Sequence, residues 1–279
     1  MEIIDAHHHL WDLSRFNYSW QREFPVLDRT FSLRDYEETT ADLGVVKSVH
    51  VQADVDEEFG LQETRWILSL AETAAPIEGV VAWGPVENSD FASFLEGMGQ
   101  HPKLKGIRRL IQAEDDPRFC LRPEFIAGVR QLAACDLSFD LCIYHSQLAA
   151  VVELVRQVPE VSFVLDHAGK PGIKEGLLEP WKTQLGELAG LDNVYCKLSG
   201  IVTEANVDNW TEAELRPYMD HVLEVFGFER VMYGSDWPVC LRGIEYNRWL
   251  ELVQEVVRDA TEAERRSLFY GTAERFYRL

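Results

Sequence analysis

Ile3-Ile4-Asp5-Ala6-His7-His8-His9-Leu10-Trp11 is a short apolar run that ends in three consecutive histidines. Side chains at i and i+2 of a β-strand project to the same side. A strand over 2–7 therefore sends His7 and His9 off its C-terminal end in one direction, with Asp5 beneath them. His8 points the other way, into the surrounding shell. Two converging imidazoles are a ready pair of ligands for a transition metal. Residues 230–238, Arg-Val-Met-Tyr-Gly-Ser-Asp-Trp-Pro, give the matching signal near the other end of the chain. There an apolar strand ends in a lone acid, Asp236, and Pro238 stops it. Imidazoles and a carboxylate, each at the C-terminal end of a strand, suit a metal-assisted hydrolase built on a barrel.

Between these two stretches the pattern repeats. Apolar, β-branched runs at 3–6, 45–51, 77–83, 106–111, 139–144, 161–166, 193–198 and 230–233 read as eight strands. Helical periodicity fills 33–43, 61–74, 91–98, 123–134, 148–158, 178–189 and 213–226, with further helices at 245–258 and from Thr261. Thr261 with Glu264, and more weakly Ser32 with Asp35, form capping-box patterns. Eight strands alternating with helices predict an α/β fold, a (β/α)8 TIM barrel spanning 1–279 as one domain. A doubly wound sheet would carry a glycine-rich turn after its first strand, and histidines stand there instead. The long irregular stretch 12–31 follows strand 1 and so belongs to the face where such barrels keep their sites; a loop of that length reads as a functional cover.

With 279 residues, 46% of them hydrophobic and 27% charged, the chain can bury a large core. A formal net charge of −20 argues against nucleic-acid and anionic-membrane partners and disfavours a polyanionic substrate, while saying nothing specific about a small-molecule one. A homo-oligomer is compatible with it. Five cysteines without a CxxC pair, in mostly apolar surroundings, and the absence of a basic, apolar leader predict a cytoplasmic protein with reduced thiols.

Other candidates sit at predicted strand ends. His167, in Asp166-His-Ala-Gly-Lys170, is a ligand or a general acid/base; alternation brings only one of Asp166 and His167 to the pocket, and His167 is the choice. His145, after strand 5, occupies a third-ligand position or a surface turn. Arg108 and Arg109 in strand 4, and Lys197 in strand 7, are costly to bury unpaired, so Arg108 is expected to grip a substrate oxygen. Trp11, Trp83 and Trp237 offer aromatic faces to a sugar ring or simply pack under the loops.

Asp-Ala-His-His-His-Leu-Trp-Asp at 5–12, Gly-Ile-Arg-Arg at 106–109, Val-Leu-Asp-His-Ala-Gly-Lys-Pro at 164–171, Cys-Lys-Leu-Ser-Gly at 196–200 and Gly-Ser-Asp-Trp-Pro-Val at 234–239 together resemble the amidohydrolase superfamily. The resemblance is to its branch of sugar-lactone hydrolases, such as L-fuconolactonase and L-rhamnonolactonase. It implies ring opening of an aldonolactone in carbohydrate catabolism. One divalent cation, zinc for preference, would be held by His7, His9, Asp236 and His145. Asp236 and His167 would handle protons, and Arg108, Trp11, Lys170 and Trp237 would contact the sugar. Relatives with two metals bridge them with a modified lysine at the end of strand 4. Lys105 stands at that strand's start, so one metal is expected, and relatives with a reduced or absent metal make its necessity a point to test. Decarboxylation or hydrolysis of a planar carboxylated ring, and a non-catalytic barrel that binds a sugar acid, are the alternatives.

Overall fold

In the computed structural model, which describes residues 1–73 and 76–279, the expected strands pair in chain order. They are β1 (Ile3–His8), β2 (Val45–Val51), β3 (Ile77–Trp83), β4 (Leu104–Leu110), β5 (Ser138–Cys142), β6 (Phe163–Leu165), β7 (Val194–Leu198) and β8 (Val231–Tyr233). Each is parallel to the next. The sheet closes on itself just past β8. There the Asp236 amide donates to the His7 carbonyl at 2.8 Å and the His9 amide to the Trp237 carbonyl at 2.7 Å. Helices α1 (Leu33–Thr40), α2 (Gly60–Thr73), α3 (Phe91–Met98), α4 (Pro123–Gln131), α5 (Leu148–Gln157), α6 (Trp181–Ala189), α7 (Glu212–Phe226) and α8 (Tyr246–Val256) follow the strands one by one. The result is a (β/α)8 barrel.

Local chemistry accounts for most boundaries. Ser32 and Asp35 cap α1 reciprocally, as Thr261 and Glu264 cap α9 (Glu262–Arg266). The periodicity around 178–189 yields a helix only from Trp181, with Pro180, which has no N–H to donate, at its N-cap. Ala74, the last residue of the expected 61–74 helix, lies outside the described residues. All five cysteines are free thiols, and only Cys135 is exposed. Among the described residues no helix is long and apolar enough to cross a membrane.

The barrel interior is layered. Ile4, Ala6, Val49, Val51, Val81, Val164 and Met232 fill its lower half. Helix α10 (Thr272–Tyr277) plugs it from below with Phe276 and Tyr277. Lys47 and Lys105 hold the chain end there, donating to the carbonyls of Leu279 at 3.2 Å and Arg278 at 2.9 Å. Lys105 therefore belongs to the floor of the barrel, away from the strand tips.

Candidate active site

An irregularity in β1 decides which histidines share a face. Asp5 lies opposite Ser48 and His8 opposite His50, three positions of β1 against two of β2. The extra residue makes a bulge, which re-aims the side chains beyond it. Ile4 and Ala6 face inward before the bulge; His7 and His9 face inward after it. His8 is outside, stacked on Tyr36 of α1 at 4.1 Å. Asp5 is outside too, accepting hydrogen bonds from Tyr36 and Tyr246. Strict alternation puts Asp5 beneath the two histidines; the bulge moves it to the opposite face.

His7 Nε2 and His9 Nε2 stand 3.2 Å apart. Asp236 Oδ1 is 3.8 Å from the first and 3.4 Å from the second. His9 Nδ1 is 2.7 Å from the Val51 carbonyl, so it carries the proton and leaves Nε2 a free lone pair. Asp236 holds a left-handed backbone conformation, φ 57°. His167 brings its Nε2 within 3.8 Å of the same carboxylate oxygen while Nδ1 pairs with Ser199 Oγ at 2.9 Å. It gets there by an unusual turn. His167, Ala168, Gly169 and Lys170 are all left-handed, with φ of 52°, 51°, 72° and 49°. Such runs are costly for L-residues and cluster at functional sites. Gly200 makes room for this ring, since a Cβ there would sit 2.5 Å from His167 Nδ1.

Because β6 ends at Leu165, alternation no longer applies to the next two residues, and both Asp166 and His167 enter the site. This corrects the expectation that only one would. Asp166 binds Arg108 Nη1 at 3.0 Å and Lys197 Nζ at 3.0 Å, and lies 3.3 Å from His7 Nδ1. Lys197 also binds Asp140 of β5 at 2.6 Å, and Asp140 accepts from the Tyr277 hydroxyl at 2.8 Å. Arg108 Nη1 is 3.4 Å from His7 Nε2. A chain of buried charge thus runs from the floor to the donor cluster.

Burial pushes the His167 imidazolium down to a pKa of about 4 and His7 well below its ordinary value. Burial opposes the Asp236 carboxylate, yet His167, His9 and Lys170 hold its pKa below the usual range. Asp166, against the same penalty, is kept ionised by Lys197, His7 and Arg108. At neutral pH the cluster offers an anionic carboxylate beside the neutral imidazoles of His7 and His167. That set can take a proton from water or hold a cation.

The donor atoms of His7, His9 and Asp236 all lie within 4.8 Å of one another, as do those of His7, Asp166 and His167. His145 belongs to neither group. β5 ends at Cys142, and the turn His145–Gln147 carries the ring outward into a cavity of about 540 Å³ with Lys170, Glu204 and Arg242. Lys170 stands at that rim, donating to Gln112 Oε1. Trp11 and Trp237 are 0% and 2% exposed, so neither face is open to a ligand. Both pack on Phe31, at 5.2 and 5.4 Å, closing the base of the 12–31 loop, and Trp11 Nε1 donates to the Arg29 carbonyl. Trp83 packs on Phe94 of α3 at 5.5 Å. Asp140 escaped the sequence reading, although a lone acid in an apolar strand, matched by Lys197 in another, is the trace such a pair leaves.

The sequence profile of the amidohydrolase family matches residues 4–279. The chain belongs to that family. An L-fucono-1,5-lactonase of Burkholderia multivorans is 35% identical over 289 residues, covering 99% of this chain and 96% of the relative. One from Burkholderia ambifaria is 33% identical over 281 residues, 99% and 95% of the two chains. A crystal structure of an amidohydrolase from Burkholderia multivorans with bound zinc superposes with a TM-score of 0.92 at 33% identity, covering 100% of both chains. The cluster lies at the C-terminal ends of the strands, the face on which TIM-barrel enzymes carry their active sites, where the loops can complete it.

Proposed function

We propose that this amidohydrolase opens an uncharged sugar lactone to its aldonic acid, as a step of carbohydrate breakdown. The observation that carries the reading is the triangle of His7 Nε2, His9 Nε2 and Asp236 Oδ1, with edges of 3.2, 3.4 and 3.8 Å. Ligands about 2.0–2.1 Å from a tetrahedral ion stand about 3.3–3.4 Å from each other, so the triangle fits one zinc-like cation. When bound, such a cation polarises an ester carbonyl and lowers the pKa of water.

The chain's own residues account for the rest. Water adds to the acyl carbon and its proton passes to Asp236, whose carboxylate is kept ionised for the purpose. Asp236 passes that proton to His167 Nε2, 3.8 Å away, and the ring C–O bond breaks as the departing alkoxide oxygen takes it from the resulting imidazolium. Arg108, locked by Asp166, points a fixed N–H dipole into the same space. The resemblance to two lactonases supports the ester chemistry.

A carboxylated ring would need cations free to meet it, but those in the strands beside the donor triangle are occupied; among the described residues, Lys170, which donates to the neutral Gln112 amide, and Arg242 line the outer cavity without a carboxylate partner. Arg108 serves Asp166, Lys197 serves Asp140 and Asp166, and Arg109 serves Glu87 and Glu114. This favours a neutral polyhydroxylated substrate. Acid release from a panel of aldonolactones, with chelator and with added zinc, tests the proposal. Turnover lost to chelator and restored by zinc is expected. Turnover indifferent to chelator would retain the lactonase and leave His7 and His9 as substrate or proton-transfer groups. No turnover on any lactone would overturn the reading.

A further inference from the structure

We propose that Asp5, behind the barrel wall, is the positioning residue that holds the two halves of the donor triangle in register. The inference uses the lactonase reading for its assay but does not depend on the cation. His7 and His9 come from β1 and Asp236 from the turn after β8, so the triangle straddles the seam where the sheet closes. Asp5 spans that seam from the outside. Its Oδ1 accepts the backbone N–H of His7 at 3.2 Å and of Ser235 at 2.8 Å. Its Oδ2 accepts the hydroxyls of Ser235 at 2.6 Å, Tyr36 at 2.9 Å and Tyr246 at 3.1 Å. Ser235 Oγ in turn accepts the Trp237 N–H at 3.0 Å. The residues on both sides of Asp236 are therefore tied, directly or through one hydroxyl, to the carboxylate that also fixes the His7 backbone.

This matters because Asp236 is left-handed, φ 57°. A non-glycine residue in that conformation persists only when its surroundings over-determine it. Here those surroundings converge on Asp5. The carboxylate is 0% exposed and meets five donors, so an acceptor on each oxygen is required and contact with substrate is excluded. Asp5→Asn keeps the shape but turns N–H donors against donors whichever way the amide rotates. Ser235→Ala keeps Asp5 and removes the hydroxyl link.

The test measures kcat and KM on the preferred lactone, zinc affinity by competition with a chromogenic chelator, and thermal unfolding, for wild type and both variants. Loss of a partner that orients metal ligands typically weakens metal binding or activity 10–100-fold. The expected result is a fall of that size in kcat at nearly constant KM, with zinc affinity falling in parallel. A purely structural role would lower Tm and leave kcat and zinc affinity of the folded enzyme at wild-type values; that outcome overturns the proposal. If Asp5→Asn does not fold, Ser235→Ala decides by the same split. A wild type that turns over lactone without binding zinc would remove the cation from the reading, and kcat alone would then judge Asp5.

Discussion

Asp236 is the residue whose chemistry is most exposed to test. Its carboxylate stands within 3.8 Å of three imidazole nitrogens, and against its burial it is held ionised by His167, His9 and Lys170. Replacement by asparagine keeps the shape and one acceptor oxygen but removes the base. A positioned general base contributes about 10²–10⁴-fold, so Asp236→Asn is expected to lose roughly that factor in kcat while remaining folded. Stopped acid-release assays on the purified variant would show it, and near-normal turnover would exclude the role. His7, His9, Asp236 and His167 stand out in the sequence because each follows an apolar run, and Arg108 because it interrupts one. His145 was not separable from them in sequence. One short turn after β5 decides its direction, and nothing in Tyr-His-Ser-Gln encodes where that turn points.

At the scale of the element, β5, β7 and the turn that follows β6 each contribute one buried charge to a single network. Asp140 and Asp166 meet Lys197 with all three side chains at 0% exposure. Removing one partner from such a network leaves uncompensated buried charge, which costs about 3–5 kcal/mol. Lys197→Met, similar in length but uncharged, is therefore expected to lower unfolding free energy by about that amount in urea titrations. A loss below about 1 kcal/mol would mean that water or another cation reaches Asp140 and Asp166. Strand and helix placement came through well from periodicity alone. The β1 bulge did not, since an inserted residue leaves no mark in a run as short as Ile-Ile-Asp-Ala-His-His.

Across the whole molecule, pH acts through groups whose burial opposes charge. His167 and His8 are depressed to about 4 and about 3, by burial first of all. Their folded values lie below the unfolded one, so the stability they contribute is complete above about pH 6.5 and is lost as pH falls towards 4. Glu63, buried beside Tyr18, is raised to about 8. The folded state there binds more protons than the unfolded, so its contribution declines as pH rises from about 4.5 to 8. Thermal unfolding scans should show Tm falling between pH 7 and 4. Glu63→Gln should gain on wild type steadily from pH 5 to pH 8, and parallel curves for the two proteins over that range would refute the assignment.

The eightfold alternation of runs, the histidine pair and the terminal aspartate were determined by the sequence alone, because strand and helix periods and the residues that interrupt them are local properties. Family likeness was equally local, carried by five short motifs in order. Which face of β1 Asp5 takes, the entry of Asp166 beside His167, the outward path of His145 and the five-donor clamp on Asp5 were decided by tertiary structure. They depend on a bulge, on turns whose direction the local sequence leaves open, and on a seam where the partners stand 230 residues apart in the chain, as Asp5 and Ser235 do.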